Sequence, residues 1–190
     1  MPELEDLSGP FNPDLRFDDF SKSFLLKLMN VWQWAWLHQA RAWYETIQKR
    51  FGSEAANDCE REAWVTMGER VNPRYAKIAN IELNTVLDSL KAAQLPPDNI
   101  STSGLFPPRF EIKNPNHVIM TVTDCRPLSV LERDAPERIR PVCYVLEELI
   151  MAKYFMNPNI KATPLKLPPL PPKRRSPGDI ACQWELKLEA

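Results

Sequence analysis

Glycine is scarce: five residues in a chain of 190. Phosphate-binding loops and dinucleotide turns need glycine where the backbone must bend tightly and approach the phosphate; no glycine-rich phosphate loop is present, and five glycines argue against a dinucleotide or nucleotide fold. The chain also has no G-x-S-x-G elbow and no H-E-x-x-H pair, which removes the α/β-hydrolase serine and the zincin arrangement. It has no C-x-x-C, the spacing that marks a metal-binding knuckle. Charge of either sign is not in excess: 24 basic against 25 acidic residues give a net charge of -1. The one basic run, Lys173-Arg174-Arg175, is too short for a nucleic-acid footprint. No run approaches the ~20 apolar residues that span a bilayer. The acidic opening Glu3-Leu4-Glu5-Asp6 lacks the basic start and apolar core of a signal peptide. The expectation is a cytoplasmic protein with no membrane and no nucleic acid among its partners. In that compartment four scattered cysteines are thiols or ligands rather than disulfides.

What is present reads as one domain, 1–190, long enough for a real core. Residues 1–18 form an extended lead-in. The helical part, 20–95, begins with a long helix from Phe20 to Arg50, in which Leu25, Met29, Trp32, Trp36, Trp43 and Ile47 share a face. Trp34, Leu37 and Tyr44 make a second stripe, so this helix is expected to be central. A second helix is predicted from Glu54 to Glu69, with Ala56, Cys59, Ala63 and Met67 inward. A third follows the cap pair Asn72-Pro73 and carries Ile78, Leu83, Val86, Leu87 and Leu90 up to Pro96-Pro97.

The sheet-containing part, 109–190, begins with a hairpin. Phe110 to Ile112 and Val118 to Thr123 alternate about the turn Asn114-Pro115-Asn116, with His117 expected in that turn and exposed. A short helix near Ser129 to Arg133 and a longer one from Pro141 to Met156 follow. Ile160 to Leu167 reads as a strand, 168–178 as a Pro-rich loop, and Ile180 to Leu188 as the last strand. Ile180, Cys182, Trp184, Leu186 and Leu188 all face inward on it. Helices first and hairpin-like strands later define the α+β class with an antiparallel sheet.

Three cysteines nominate a site. Cys125 ends a strand, Cys143 sits on a helix one turn before Glu147, and Cys182 points inward from the last strand. Three thiolates with a carboxylate or water suit zinc, and soft thiolates also admit iron or an iron–sulfur centre. The competing reading is core packing, because free cysteine is among the most buried residue types. Cys59 is read as structural. His38, one turn after Trp34, is either a general acid or base or a hydrogen-bonded histidine at the edge of the aromatic face. Trp32, Trp36 and Trp43, with Trp184, line a ligand pocket or fill the core. Pro169-Leu170-Pro171-Pro172-Lys173-Arg174 fits a PxxP ligand followed by basic residues, or a stiff loop that docks a partner.

Several stretches carry a family resemblance: Ser8-Gly9-Pro10-Phe11 with Asp14-Leu15, Phe17 and Phe20-Ser21; Cys125-Arg126-Pro127-Leu128 with Leu131-Glu132; Cys143 with Glu147; and Gly178-Asp179-Ile180-Ala181-Cys182-Gln183-Trp184. Most of the chain resembles a family of small bacterial cytosolic proteins allied to L-2-amino-thiazoline-4-carboxylate hydrolase. The stretch from Pro141 to Leu188 resembles the 4-vinyl-reductase domain, a small-molecule-binding α+β module. The second resemblance implies zinc held by a helix cysteine, a Glu-x-x-Cys pair and a strand cysteine. Cys143 and Cys182 match the first and last; the middle pair is absent from Ile160 to Leu167, and Cys125 is its stand-in.

The implied function is a hydrolase-like protein acting on a small cyclic amidine, thiazoline or related organic molecule. Cys125, Cys143 and Cys182 form the metal or nucleophile site, Glu147 is the fourth ligand or base, and His38 assists. The alternative is a non-catalytic small-ligand-binding or accessory subunit with structural cysteines or a structural zinc. It would act as a homodimer or dock a larger enzyme through the Pro-rich loop.

Overall fold

A computed structural model describes residues 3–97, 105–146, 148–149, 157–171, 175–176 and 178–189. The chain divides into two compact units, Met1–Trp43 and Tyr44–Ala190.

In the first unit the lead-in is tied down through Leu4 and through Phe17, whose ring meets Trp32 edge-on. Leu4 N–H donates to Asp19 O and Ser21 N–H to Leu4 O, at 2.8 and 3.0 Å. A 3-10 turn at Phe17–Asp19 precedes helix α1, Lys22–Phe51, which begins in this unit. Only Phe20 and Ser21 are buried among its described residues. Trp32, Trp34 and Trp43 are 52%, 62% and 62% exposed. This corrects the expectation of a central helix. At 100° per residue, exposed Leu26, Val31, Trp32 and Trp34 point to all sides of α1, so packing on one side leaves the rest bare.

The second unit opens with the end of α1 at Phe51. Gly52 takes φ +91°, a region that favours glycine, and turns the chain into α2, Ser53–Ile78. The predicted break at Asn72-Pro73 does not occur: α2 runs through Pro73, which lies with Glu69 on the exposed side. The break comes at Asn80, φ +52°. Asn80 N–H donates to Lys77 O and Ile81 N–H to Ala76 O, the paired bonds of a Schellman stop. The expected third helix is therefore only α3, Val86–Ala92, capped by Thr85, whose hydroxyl oxygen accepts from Asp88 N–H at 3.1 Å. The inward stripe of α2 is also turned by about one residue. Over the second half of the helix Gly68, Asn72 and Ala76 are the buried set at four-residue spacing; Ala56, on the predicted stripe, is buried too, while Cys59 is exposed.

Strands β1, Pro108–Asn114, and β2, His117–Val122, form the expected hairpin. Helices α4, Arg126–Asp134, and α5, Ile139–Cys143, follow. Of the predicted Pro141–Met156 helix, residues 147 and 150–156 lie outside the described residues. Strands β3, Ile160–Lys166, and β4, Cys182–Leu188, complete an antiparallel sheet of order β1-β2-β4-β3. The class is α+β. Pro164 sits on β3, an end strand of that order, where a missing N–H is tolerated, and the register shifts just after it.

Alternation along β4 sets the main core. Trp184 and Leu186 pack with Val118 of β2, Ile160 and Ala162 of β3, and Val86 and Leu90 of α3. Trp184, expected to line a pocket, is 1% exposed and fills this core instead. His117 lies on β2 rather than in the turn, and its Nε2 is 2.8 Å from Glu185 Oε1 on β4.

Candidate functional site

A second core cluster gathers the three nominated cysteines. Val122 at the end of β2, Leu128 and Leu131 of α4, Ile139 and Cys143 of α5, and Ala181 before β4 are buried together, with Cys125 and Cys182 packed against them. Each cysteine arrives on a separate element for a local reason. Cys125 caps α4, its Sγ accepting from Leu128 N–H at 3.5 Å. Cys143 closes α5, and Cys182 opens β4 opposite Val122.

Burial dominates their chemistry. It pushes the Cys143 thiol up to about 12, with the neighbouring Cys125 and Cys182 adding to the rise. It pushes Cys182 up to about 11, partly opposed by the Trp184 indole N–H. Cys125 is also raised by burial, against the pull of Leu128 N–H and the Arg175 guanidinium. All three are therefore neutral thiols near pH 7. The Trp184 N–H has no partner in hydrogen-bond geometry, so its effect on the Cys182 sulfur is weak.

Arg175, from the Pro-rich stretch, is the cation at this cluster. Its Nε and Nη2 donate to Glu132 Oε1 and Oε2 at 2.8 and 3.2 Å, and its Nη1 to Thr123 O at 3.3 Å. Sequence reading grouped Arg175 with a charge run and missed this role, since nothing local marks its partner 43 residues earlier. Tyr144 makes a second tie to the same stretch, its hydroxyl donating to Pro168 O at 2.8 Å.

Among the described residues no group of three or more His, Cys, Asp or Glu stands in an arrangement that could hold a metal ion. The three thiols share one cluster. Glu147, the expected fourth ligand or base, lies outside the described residues, as do Pro172, Lys173 and Arg174 of the expected PxxP stretch. His38 is exposed and packs at a tilt of 39° against Trp34 of its own helix, ring centroids 4.0 Å apart.

Sequence reading also missed an open groove of about 540 Å³ along α2. Ala63, Thr66, Met67 and Val71 form its wall, with Glu62 and Arg70 beside them and Cys59 at the N-terminal end. The i, i+3, i+4, i+7 spacing was visible, but it was assigned to the buried side of the helix.

Helices preceding a four-stranded antiparallel sheet, with a thiol cluster at one end of β4, define the protein as an α+β domain. The chain belongs to the family described as Family of unknown function (DUF6125), which it matches over residues 18–188. No curated protein and no solved structure matches it. Among the described residues no helix is long and apolar enough to cross a membrane.

Proposed function

We propose that this chain is a non-catalytic accessory subunit that docks a protein partner through α1. The carrying observation is the bare aromatic surface of that helix: Trp32, Trp34 and Trp43 each expose more than half of their surface. At about 250 Å² per indole they offer roughly 400 Å², about half of what one side of a standard interface buries. Exposed Leu26, Met29 and Val31 extend it. Apolar residues on all sides suit packing between protein elements, whereas a helix lying on a lipid surface needs one polar face. The cysteines are structural in this reading, held neutral by burial.

The test is sedimentation of the purified chain beside a Trp32→Ser/Trp34→Ser/Trp43→Ser variant. Self-association at micromolar concentration, lost in a variant that keeps its circular dichroism, supports docking with a second copy as the partner. A monomeric wild type whose indoles are shielded from an acrylamide quencher would overturn the reading, because the helix would then be covered by its own chain.

The hydrolase-like reading has one observation in its favour: three thiols from separate elements converge beside a fixed guanidinium. In that reading the cluster acts on a cyclic amidine, thiazoline or related small molecule, with a thiolate as nucleophile. Its test is hydrolysis of 2-amino-thiazoline-4-carboxylate by wild type and Cys182→Ser, with zinc content measured on both. No turnover by the wild type removes this reading.

A further inference from the structure

We infer that the α2 groove is a binding site for an elongated amphiphilic organic acid. The ligand has an apolar body of about eight carbons, a carboxylate at one end and a hydrogen-bond-donating or cationic group at the other. The inference is independent of what covers α1.

The sequence builds the groove in a simple way. Residues 59, 62, 63, 66, 67, 70 and 71 recur at helical spacing, so they share one side of α2. Opposite them, over the second half of the helix, lie Gly68, Asn72 and Ala76, which are buried. The groove side carries Met67, Val71 and Ala63, apolar residues that the packed side of the helix does not use. Methionine is unbranched and polarizable, and it adapts to irregular apolar ligands. The volume, about 540 Å³, lies within the range of small-molecule sites.

Charge gives the groove a direction. Glu62 and Arg70 both line it, and among the described residues neither side chain has an ion-pair or hydrogen-bond partner. Elsewhere on this helix Glu60 is paired with Arg138, and Arg61 with Asp58. Eight residues of helix separate Glu62 from Arg70, about 12 Å at 1.5 Å per residue. An extended eight-carbon chain together with a polar group at each end spans about that distance. A carboxylate would pair with the Arg70 fork and a donor with the Glu62 carboxylate, while Thr66, Ala63 and Met67 meet the body between them. Reversal is disfavoured because it sets like charges together at both ends.

The groove supplies its own reporter. Cys59 lies at its N-terminal end and is exposed, so a bound molecule shields the thiol from alkylation. The experiment uses 8-aminooctanoate, octanoate and octylamine as probes on the full-length protein. Amide chemical-shift mapping locates binding, and the iodoacetamide rate at Cys59 measures protection. The expected result is shifts concentrated between Cys59 and Val71, with octanoate and 8-aminooctanoate binding and octylamine binding more weakly. Arg70→Gln should weaken octanoate five- to tenfold and leave octylamine unchanged. Met67→Asp should abolish all three. Arg70 and Met67 are not in the buried core, so both variants should fold as the wild type does. Shifts confined to another surface, or octanoate affinity equal in wild type and Arg70→Gln, would overturn the inference.

Discussion

Raising the pH should make the thiol cluster visible both in its reactivity and in the stability of the fold. With the Cys182 thiol pushed up to about 11 and Cys143 to about 12, from an ordinary 9.0, almost none of either is thiolate at pH 8.5. An ordinary thiol is then about one quarter ionised, Cys182 about 0.3% and Cys143 about 0.03%. Iodoacetamide attacks the thiolate, so Cys182 should react about 70-fold and Cys143 about 700-fold slower than an ordinary thiol, before any shielding is counted. Exposed Cys59 serves as the fast internal standard, read site by site by mass spectrometry.

The sign for stability follows from proton counts. A thiol whose folded value is raised holds its proton longer folded than unfolded, so stability is intact below pH 9 and falls as pH rises toward 11. Each such thiol costs up to about 1.4 kcal/mol per pH unit in that window. Urea unfolding of wild type at pH 8, 9, 10 and 10.5 should show this slope, reduced by up to about a third in Cys182→Ala because Cys125 and Cys143 are raised too. Buried Tyr44 and half-buried Tyr75 are raised too and contribute equally to both proteins. If native Cys182 were alkylated as fast as Cys59 at pH 8.5, the argument from burial would fail. A bound metal or a catalytic thiolate would then be the better account.

Other outcomes are open to measurement. Arg138 pairs with Glu60 at 2.7 Å and lies 3.6 Å over the Tyr44 ring, so Arg138→Ala should cost about 2–3 kcal/mol and lower Tm by roughly 5–10 °C in a thermal melt. A loss below 0.5 kcal/mol would mean that water replaces both contacts. Thr85→Ala removes the α3 cap and should cost about 1 kcal/mol in urea unfolding. Its bonds to Thr85 hold the Asp88 carboxyl below its ordinary value, so that difference should be present at neutral pH and shrink as acid protonates Asp88. Trp184→Phe loses packing volume but also removes an unsatisfied buried donor, so it should cost about 1–2 kcal/mol, less than the 3–5 kcal/mol of a Trp→Ala change. A calorimetric cost near the Ala value would show that the indole N–H has a partner.

Much of the sheet was legible because period-two alternation survives burial. The hairpin about Asn114-Pro115-Asn116 and the inward set Cys182, Trp184 and Leu186 both follow from it. The helices were harder. Asn72-Pro73 carries the signals of a helix start, yet a proline on the exposed side of a long helix can be absorbed. The true stop depends on one left-handed asparagine, Asn80, whose conformation no periodicity encodes. The α2 face was misjudged because Met67 and Cys59 outrank alanine and glycine in apolarity, although close packing selects the small residues. At the candidate site, the gathering of Cys125, Cys143 and Cys182 was readable from their positions. Arg175 was not, because its pairing with Glu132 is set only when the Pro-rich stretch folds back.

The strand order β1-β2-β4-β3 has a consequence for assembly. β4 is the last of the strands in chain order, yet it is hydrogen-bonded on both sides, with Val118 facing Leu186 on one flank and Ala162 on the other. Until β4 is available, β2 and β3 have no common partner, and the core around Trp184 cannot close. During synthesis the hairpin and helices must therefore wait with apolar faces uncovered. Folding becomes a single late event gated by one strand, and a lesion in residues 182–188 should cost the whole sheet rather than its edge.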